Sequence, residues 1–220
     1  MSRNLRSATI ASNNDDSIFV MLKVGLTGSI AVGKTFVCGI LRELGCHVLD
    51  ADLTAREVVA KGSAGLSAVV SAFGEDILTP TGDLDRKKMG SIVFGDETKR
   101  LLLNSIIHPL VFETQDRWLR SVESSDPDAI AVIDAALMIE SGGYKRFNKI
   151  IVVWCEPEVQ LARLMERDGL NEADARLRIA AQMPQEEKKR VADYLIDTSP
   201  SGESARDQTA AIVRQLKLFF

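Results

Sequence analysis

The stretch VGLTGSIAVGKTFV, Val24 to Val37, constrains this chain more than any other. An apolar run ends at Gly28, four residues follow, and Gly33-Lys34-Thr35 completes the strand–loop–helix pattern of a phosphate-binding loop. The spacing has a mechanical purpose. Loop amides turn inward around phosphate oxygens, the lysine reaches the β- and γ-phosphates, and the threonine hydroxyl ligates Mg²⁺ carried by the nucleotide. The helix that follows adds its positive end. Gly28, Ser29, Ile30, Ala31, Val32, Gly33, Lys34, Thr35 and Phe36 are therefore the expected ATP-binding residues. Lys34 is also expected to act in catalysis, and Thr35 to meet Mg²⁺.

Such a loop needs a parallel sheet behind it. Apolar runs at Lys23–Leu26, His47–Leu49, Ala129–Ile133 and Lys149–Trp154 each lead into a helical pattern or a polar turn, which is the rhythm of an α/β fold. Helix one is expected from about Gly33 to Leu44, with Gly45 just beyond its end. Another opens at Glu156-Pro157 and stops at Gly169, and a third starts at the Asn171/Asp174 cap and runs to about Ala181. From Thr54 to Val122 the signal is mainly helical, broken by a loop at Thr79–Asp83, as in an insertion that covers a substrate.

Composition narrows the surroundings. With 220 residues, 45% hydrophobic and 26% charged, the chain suits a single domain, residues 21–220, with appended sub-regions. A net charge of −4 leaves no basic footprint for nucleic acid, and no apolar run reaches the roughly 18–20 residues of a membrane span. Cys38, Cys46 and Cys155 are scattered and odd in number, as buried thiols in a reducing cytoplasm would be. The first twenty residues are polar and aperiodic, and are expected either to be a disordered tail or to precede the working start at Met21.

Three features bear on what the loop serves. The guanine-reading motif [NT]KxD is missing, which disfavours a GTPase. Asp50-Ala51-Asp52 ends the second strand; alternation would put both carboxylates on one face, at the sheet edge where α/β proteins bind ligands. Either could orient or deprotonate an attacking hydroxyl, or Asp52 could simply cap the helix that follows. Asp134 closes the apolar run Ala129–Ile133 as a Walker B-like aspartate would. Arg163 and Arg167, one turn apart, suit a lid that neutralises charge on a transferring phosphoryl group, or else a solvated face paired with nearby acids.

The chain resembles the dephospho-coenzyme A kinase family over roughly Leu22 to Ser201. The markers are VGLTGSIAVGKT, VLDADLTAREVV, FGEDIL…GDLDRKKMGSIVF, LLNSIIHPLV, VVWCEPEVQLARLMERD and IAAQMPQEEKKRVADYLID. The resemblance implies a three-layer α/β/α P-loop kinase with a parallel sheet, a helical substrate-binding insertion (about 55–122) and a helical lid (about 156–190). It implies ATP-dependent phosphorylation of the ribose 3′-hydroxyl of dephospho-coenzyme A, in the cytoplasm. Neither a nucleic acid nor a membrane is an implied partner, and the oligomeric state stays open. Asp52 is the implied base. Asp50, Arg56, the His108-Pro109 corner and Asp134 line the acceptor side, Arg163 and Arg167 belong to the lid, and Gln182 and Lys188 match without a derived role. A nucleoside-monophosphate kinase would share the loop, the lid and the acidic strand end. Three departures stand out: Ser29, Ala31 and Val32 replace the usual Gly, Gly and Ser, Ala135-Ala136-Leu137 lacks a usual proline after Asp134, and LIDTS (Leu195–Ser199) replaces a usual IDNS.

Overall fold

In the computed structural model, residues 21–219 are described, so the expectation for the first twenty residues lies outside them. Five parallel strands form one sheet: β1 (Leu22–Thr27), β2 (His47–Asp50), β3 (Ile130–Asp134), β4 (Lys149–Trp154) and β5 (Tyr194–Asp197), in the order β2-β3-β1-β4-β5. Every strand therefore ends at the same edge. The chain leaves β1 toward β3 and β2, then crosses to β4 and β5 on the other side, so the loop after β1 sits where the connections diverge.

The α/β expectation holds, with one element added. β5 is four residues long with Leu195 exposed, so it carries no run that periodicity can detect. Its pairing with β4, Ile151 opposite Tyr194 through Trp154 opposite Asp197, makes it a strand.

Strand side chains alternate between two cores. On one face Leu22, Val24, Leu26, Val132, Ile151, Val153 and Ile196 pack against α1 (Lys34–Glu43) and α9 (Gly202–Leu216). On the other, Ala131, Ile133, Ile150 and Val152 meet Leu119 and Val122 of the long helix α5 (Glu97–Ser125). Cys38, Cys46 and Cys155 are all free and buried.

A third core lies apart from the sheet. It joins Val59, Val69, Ile77 and Met89 with flanking Leu103, Ile106 and Ile107. It unites α3 (Ala64–Phe73), α4 (Arg86–Phe94) and the first half of α5, close to α2 (Ala51–Glu57). The loop expected at Thr79–Asp83 is a tight turn closed by the Leu78–Leu84 bridge. The His108-Pro109 corner is not a corner. Both residues lie inside α5, which continues through Pro109 for 29 residues. A proline removes one i→i−4 bond; here Leu103, Ile106 and Ile107 pack against the third core before the proline, and Leu119 and Val122 are buried against the sheet after it, so contacts on both sides hold the helix continuous.

The remaining helices are α6 (Pro157–Asp168), α7 (Glu172–Ala180) and α8 (Gln185–Lys189). α6 opens at a first-turn proline and ends at Gly169 in the left-handed region, φ 65°, and Asn171 caps α7 through the Asp174 amide.

Candidate active site

The phosphate loop is shaped by close packing. A Cβ on Gly28 would overlap the Val153 carbonyl oxygen, and Gly33 caps α1 with φ 89°. Ala31 holds φ 60°, a left-handed conformation that is costly for a residue with a Cβ, at a position where the resembling family carries glycine. Val32 is fully buried in the core between the sheet and α1, so only its backbone is open to a ligand. Among the described residues, no protein acceptor meets the amides of Ala31, Gly33, Lys34 and Thr35. With the α1 terminus behind them, these amides form a cradle for an anion.

Three elements hold that cradle from outside. Gln160 of α6 donates to the Ile30 carbonyl at 2.7 Å and to Ser29 Oγ at 3.1 Å. Gln182, between α7 and α8, accepts from the Ile30 amide at 2.8 Å and from Ser29 Oγ at 3.0 Å. Thr198, just after β5, donates to the Val32 carbonyl at 2.8 Å. Gln185 in turn donates to Gln160 Oε1 at 2.9 Å. Gln160 and Gln185 lie within marker segments without being singled out, and Thr198 is marked only as part of a departure from the family pattern; their role exists only once distant segments meet.

Carboxylates gather at the ends of β2 and β3. Asp50 and Asp134 are paired in the register of the two strands. Lys34 Nζ lies 3.5 Å from Asp134 Oδ1, and the Cys38 thiol donates to Oδ2 at 3.4 Å. Burial raises the Asp134 pKa, with Lys34 pulling the other way, and burial together with Asp134 holds the Cys38 thiol protonated. Asp134 Oδ1 is buried and accepts no hydrogen bond among the described residues. A buried carboxylate oxygen with no hydrogen bond, paired with the cradle's Lys34, together with Thr35 in the lining of the cleft, suits a hard divalent cation that arrives with a nucleotide. Among the described residues no cluster of three or more acidic, histidine or cysteine side chains could hold a metal unaided.

The shared strand face expected for Asp50 and Asp52 is corrected. β2 ends at Asp50, and Ala51 already begins α2, so strand alternation does not relate the two. The cap is Asp50, whose carboxylate accepts from the Leu53 amide at 2.9 Å; Asp52 sits in the first helical turn. Asp52 is open to the cleft, yet the protein around it withdraws enough water to raise its pKa, with Lys34 opposing and Asp50 reinforcing.

One cleft of about 680 Å³ collects Ser29 to Phe36, Asp52, Arg56, Ala136, Arg163, Arg167 and Gln182. Asp50, Asp134 and His108 do not line it. His108 packs on Phe112 of α5, with ring centroids 5.9 Å apart. Arg163 donates to Thr198 Oγ1 at 2.9 Å and to its carbonyl at 2.8 Å, which holds its guanidinium at the cleft wall. Arg167 instead lies along Asp168, its Nε 2.8 Å from a carboxylate oxygen, which raises its pKa.

The turn without its usual proline is held by other means. Ala135 donates its amide to the Leu26 carbonyl at 3.0 Å, and the Ala136 carbonyl accepts from Lys188 Nζ at 2.8 Å. Lys188 is fully buried and meets Glu140 at 2.7 Å, so its charge is paired where burial would otherwise penalise it.

This loop, sheet order and cleft define a P-loop kinase. The family model for dephospho-CoA kinase matches residues 22–203. A dephospho-CoA kinase of Streptomyces avermitilis is 48% identical over 177 residues, covering 80% of this chain and 85% of its own length. One from Arabidopsis thaliana is 42% identical, covering 88% and 83%. Among solved structures, a Thermus thermophilus protein superposes with a TM-score of 0.75 at 27% identity, over 90% of this chain and 98% of that one. A dephospho-CoA kinase from Campylobacter jejuni gives 0.67 at 26% identity, over 89% and 97%. The chain belongs to the dephospho-CoA kinase family. No helix among the described residues is long and apolar enough to cross a membrane.

Proposed function

We propose that this protein transfers the γ-phosphoryl group of ATP to the ribose 3′-hydroxyl of dephospho-coenzyme A, giving coenzyme A and ADP, and that the cleft described above is where it does so. One observation carries the reading: a single cleft joins the phosphate loop, the Asp52 carboxylate and cations from two further helices. The loop amides and Lys34 hold the nucleotide phosphates, and Phe36 borders the nucleotide at the start of α1. Asp52 accepts the hydroxyl proton or orients the hydroxyl in line with the γ-phosphorus. Arg56 and His108 serve the acceptor through the insertion, and Arg163 and Arg167 meet charge that develops on the moving phosphoryl group. Asp50 works indirectly, by fixing the first turn of α2 and so the position of Asp52. Thr35 and Asp134 would hold Mg²⁺, and when bound the ion would neutralise phosphate charge. Residues 55–122 form the acceptor-binding region, and the segment 156–190 includes the lid.

The test is ADP release from purified protein with ATP and a panel of acceptors. Dephospho-coenzyme A is expected to support turnover, while AMP, CMP and UMP are expected to support little. Preference for a nucleoside monophosphate would overturn the acceptor assignment and leave the kinase reading standing.

A further inference from the structure

Gln182 has a role that anchoring alone does not exhaust. Its Oε1 receives two donors, the Ile30 amide at 2.8 Å and the Ser29 hydroxyl at 3.0 Å. An amide N–H only donates, so the oxygen of the carboxamide must face the loop, and the planar group turns its NH₂ the other way. That Nε2 makes no hydrogen bond among the described residues. The side chain lines the same cleft as Lys34, Thr35, Asp52 and Arg163. Its backbone follows α7 directly, so it rides on the segment assigned to the lid while its oxygen grips the loop. An aimed neutral donor of this kind stabilises charge without the desolvation cost of another cation.

We infer that Gln182 is a catalytic residue whose Nε2 donates to an oxygen of the transferring γ-phosphoryl group. The inference rests on the phosphotransfer reading of the cleft. In the step it serves, the acceptor oxygen bonds to the γ-phosphorus, the bond from that phosphorus to the β–γ bridging oxygen breaks, and its electron pair leaves with ADP. The hydroxyl proton goes to Asp52. Gln182 exchanges no atom and holds charge on the equatorial oxygens.

Two variants separate this role from loop anchoring. Gln182→Glu keeps an oxygen that accepts both loop hydrogen bonds but loses the donor; Gln182→Ala loses both. For Gln182→Glu, turnover should fall about 10²-fold or more, the usual loss for one aimed donor. ATP affinity should fall more than ADP affinity, and the melting temperature should stay at the wild-type value. Gln182→Ala should also lose turnover and, in addition, bind ADP more weakly. Near-wild-type turnover in Gln182→Glu, or an equal loss of ATP and ADP affinity in that variant, would overturn the inference. The affinity comparison needs no acceptor, so it stands even if wild-type protein fails to phosphorylate dephospho-coenzyme A, a result that would count against the acceptor assignment alone.

Discussion

The phosphate loop and the helical insertion flank Asp52 along the chain and are built in different ways. The loop is continuous with the main core: Val32 is buried in it, Gly28 is pressed against the β4 backbone, and Gln160, Gln182 and Thr198 pin its carbonyls and amides. The insertion has its own small core around Val59, Val69, Ile77 and Met89, and its surface pairs, such as Arg100–Glu97 and Lys99–Asp96, are exposed and contribute little. The contrast separates two tasks. Phosphates are alike in every substrate, so their site gains from being rigid and already formed. On the proposed reading the insertion takes the acceptor, which must enter, be selected and leave; a core of its own suits packing that shifts without disturbing the loop.

If the two halves are as separate as this, damage to one should leave the other intact. The largest effect is expected from Lys34→Ala, which removes the loop side chain proposed to meet β/γ-phosphate charge. Turnover should fall about 10³-fold, roughly 4 kcal/mol of barrier. Acceptor affinity, measured by calorimetry, should stay within a few-fold of wild type. A comparable loss of acceptor binding would join the two halves.

Asp52→Asn comes next and acts at the boundary. Loss of the basic oxygen should cost about 10²-fold in turnover, roughly 3 kcal/mol of barrier. Stability should be unchanged or slightly higher, because the partial desolvation that raises the pKa of Asp52, although it is open to the cleft, makes its charged form less favourable in the folded state. The sign is definite: a folded pKa above the unfolded one adds stability at low pH and loses it as pH rises through the folded value. For catalysis the direction reverses, since the base must be ionised. Wild-type turnover should therefore fall with decreasing pH at a point above the value of a free aspartate, and that limb should vanish in Asp52→Asn. A pH–rate profile identical in the two proteins would remove Asp52 as the base.

Val69→Ala tests the insertion core. Removing two methyl groups from a fully buried site should cost about 2 kcal/mol of local stability, read by hydrogen exchange in α3 and α4. KM for the acceptor should rise while ATP binding holds; protection lost equally in the sheet would show one cooperative unit. The smallest effect is expected for Asp50→Ala, which deletes the α2 cap at about 1 kcal/mol. Turnover should fall several-fold through misplacement of Asp52, and Asp50→Asn, which keeps a capping oxygen, should restore most of it.

Legibility from sequence follows the same division. The loop, β1, β3, β4 and the caps at Pro157, Gly169 and Asn171 are local patterns, and residues close in sequence suffice to specify them. What escaped depends on partners far along the chain. β5 is a strand because β4 pairs with it, and β2 ends at Asp50 because its pairing with β3 ends there. Pro109 looks like a corner until the two halves of α5 are seen to pack on different cores, the first on the insertion and the second on the sheet. The acidic residues were legible as a group, but the split between Asp50 as cap and Asp52 as the cleft carboxylate was not, since it turns on one hydrogen bond to Leu53. The Gln160–Gln185 contact joins residues 25 positions apart, beyond what periodicity can register.

The three cysteines carry a consequence of another kind. All are buried and burial raises the pKa of each, Cys46 to about 11, so none offers a reactive thiolate to a reagent in the closed protein. Each lies on the sheet side: Cys38 in α1, Cys46 just before β2, and Cys155 just after β4. Thiol labelling therefore acts as a clock that runs only while that half is open. Breathing of the insertion leaves it silent. Labelling rates with and without ATP would report loop-side opening in isolation, from a chain that needs no engineered probe.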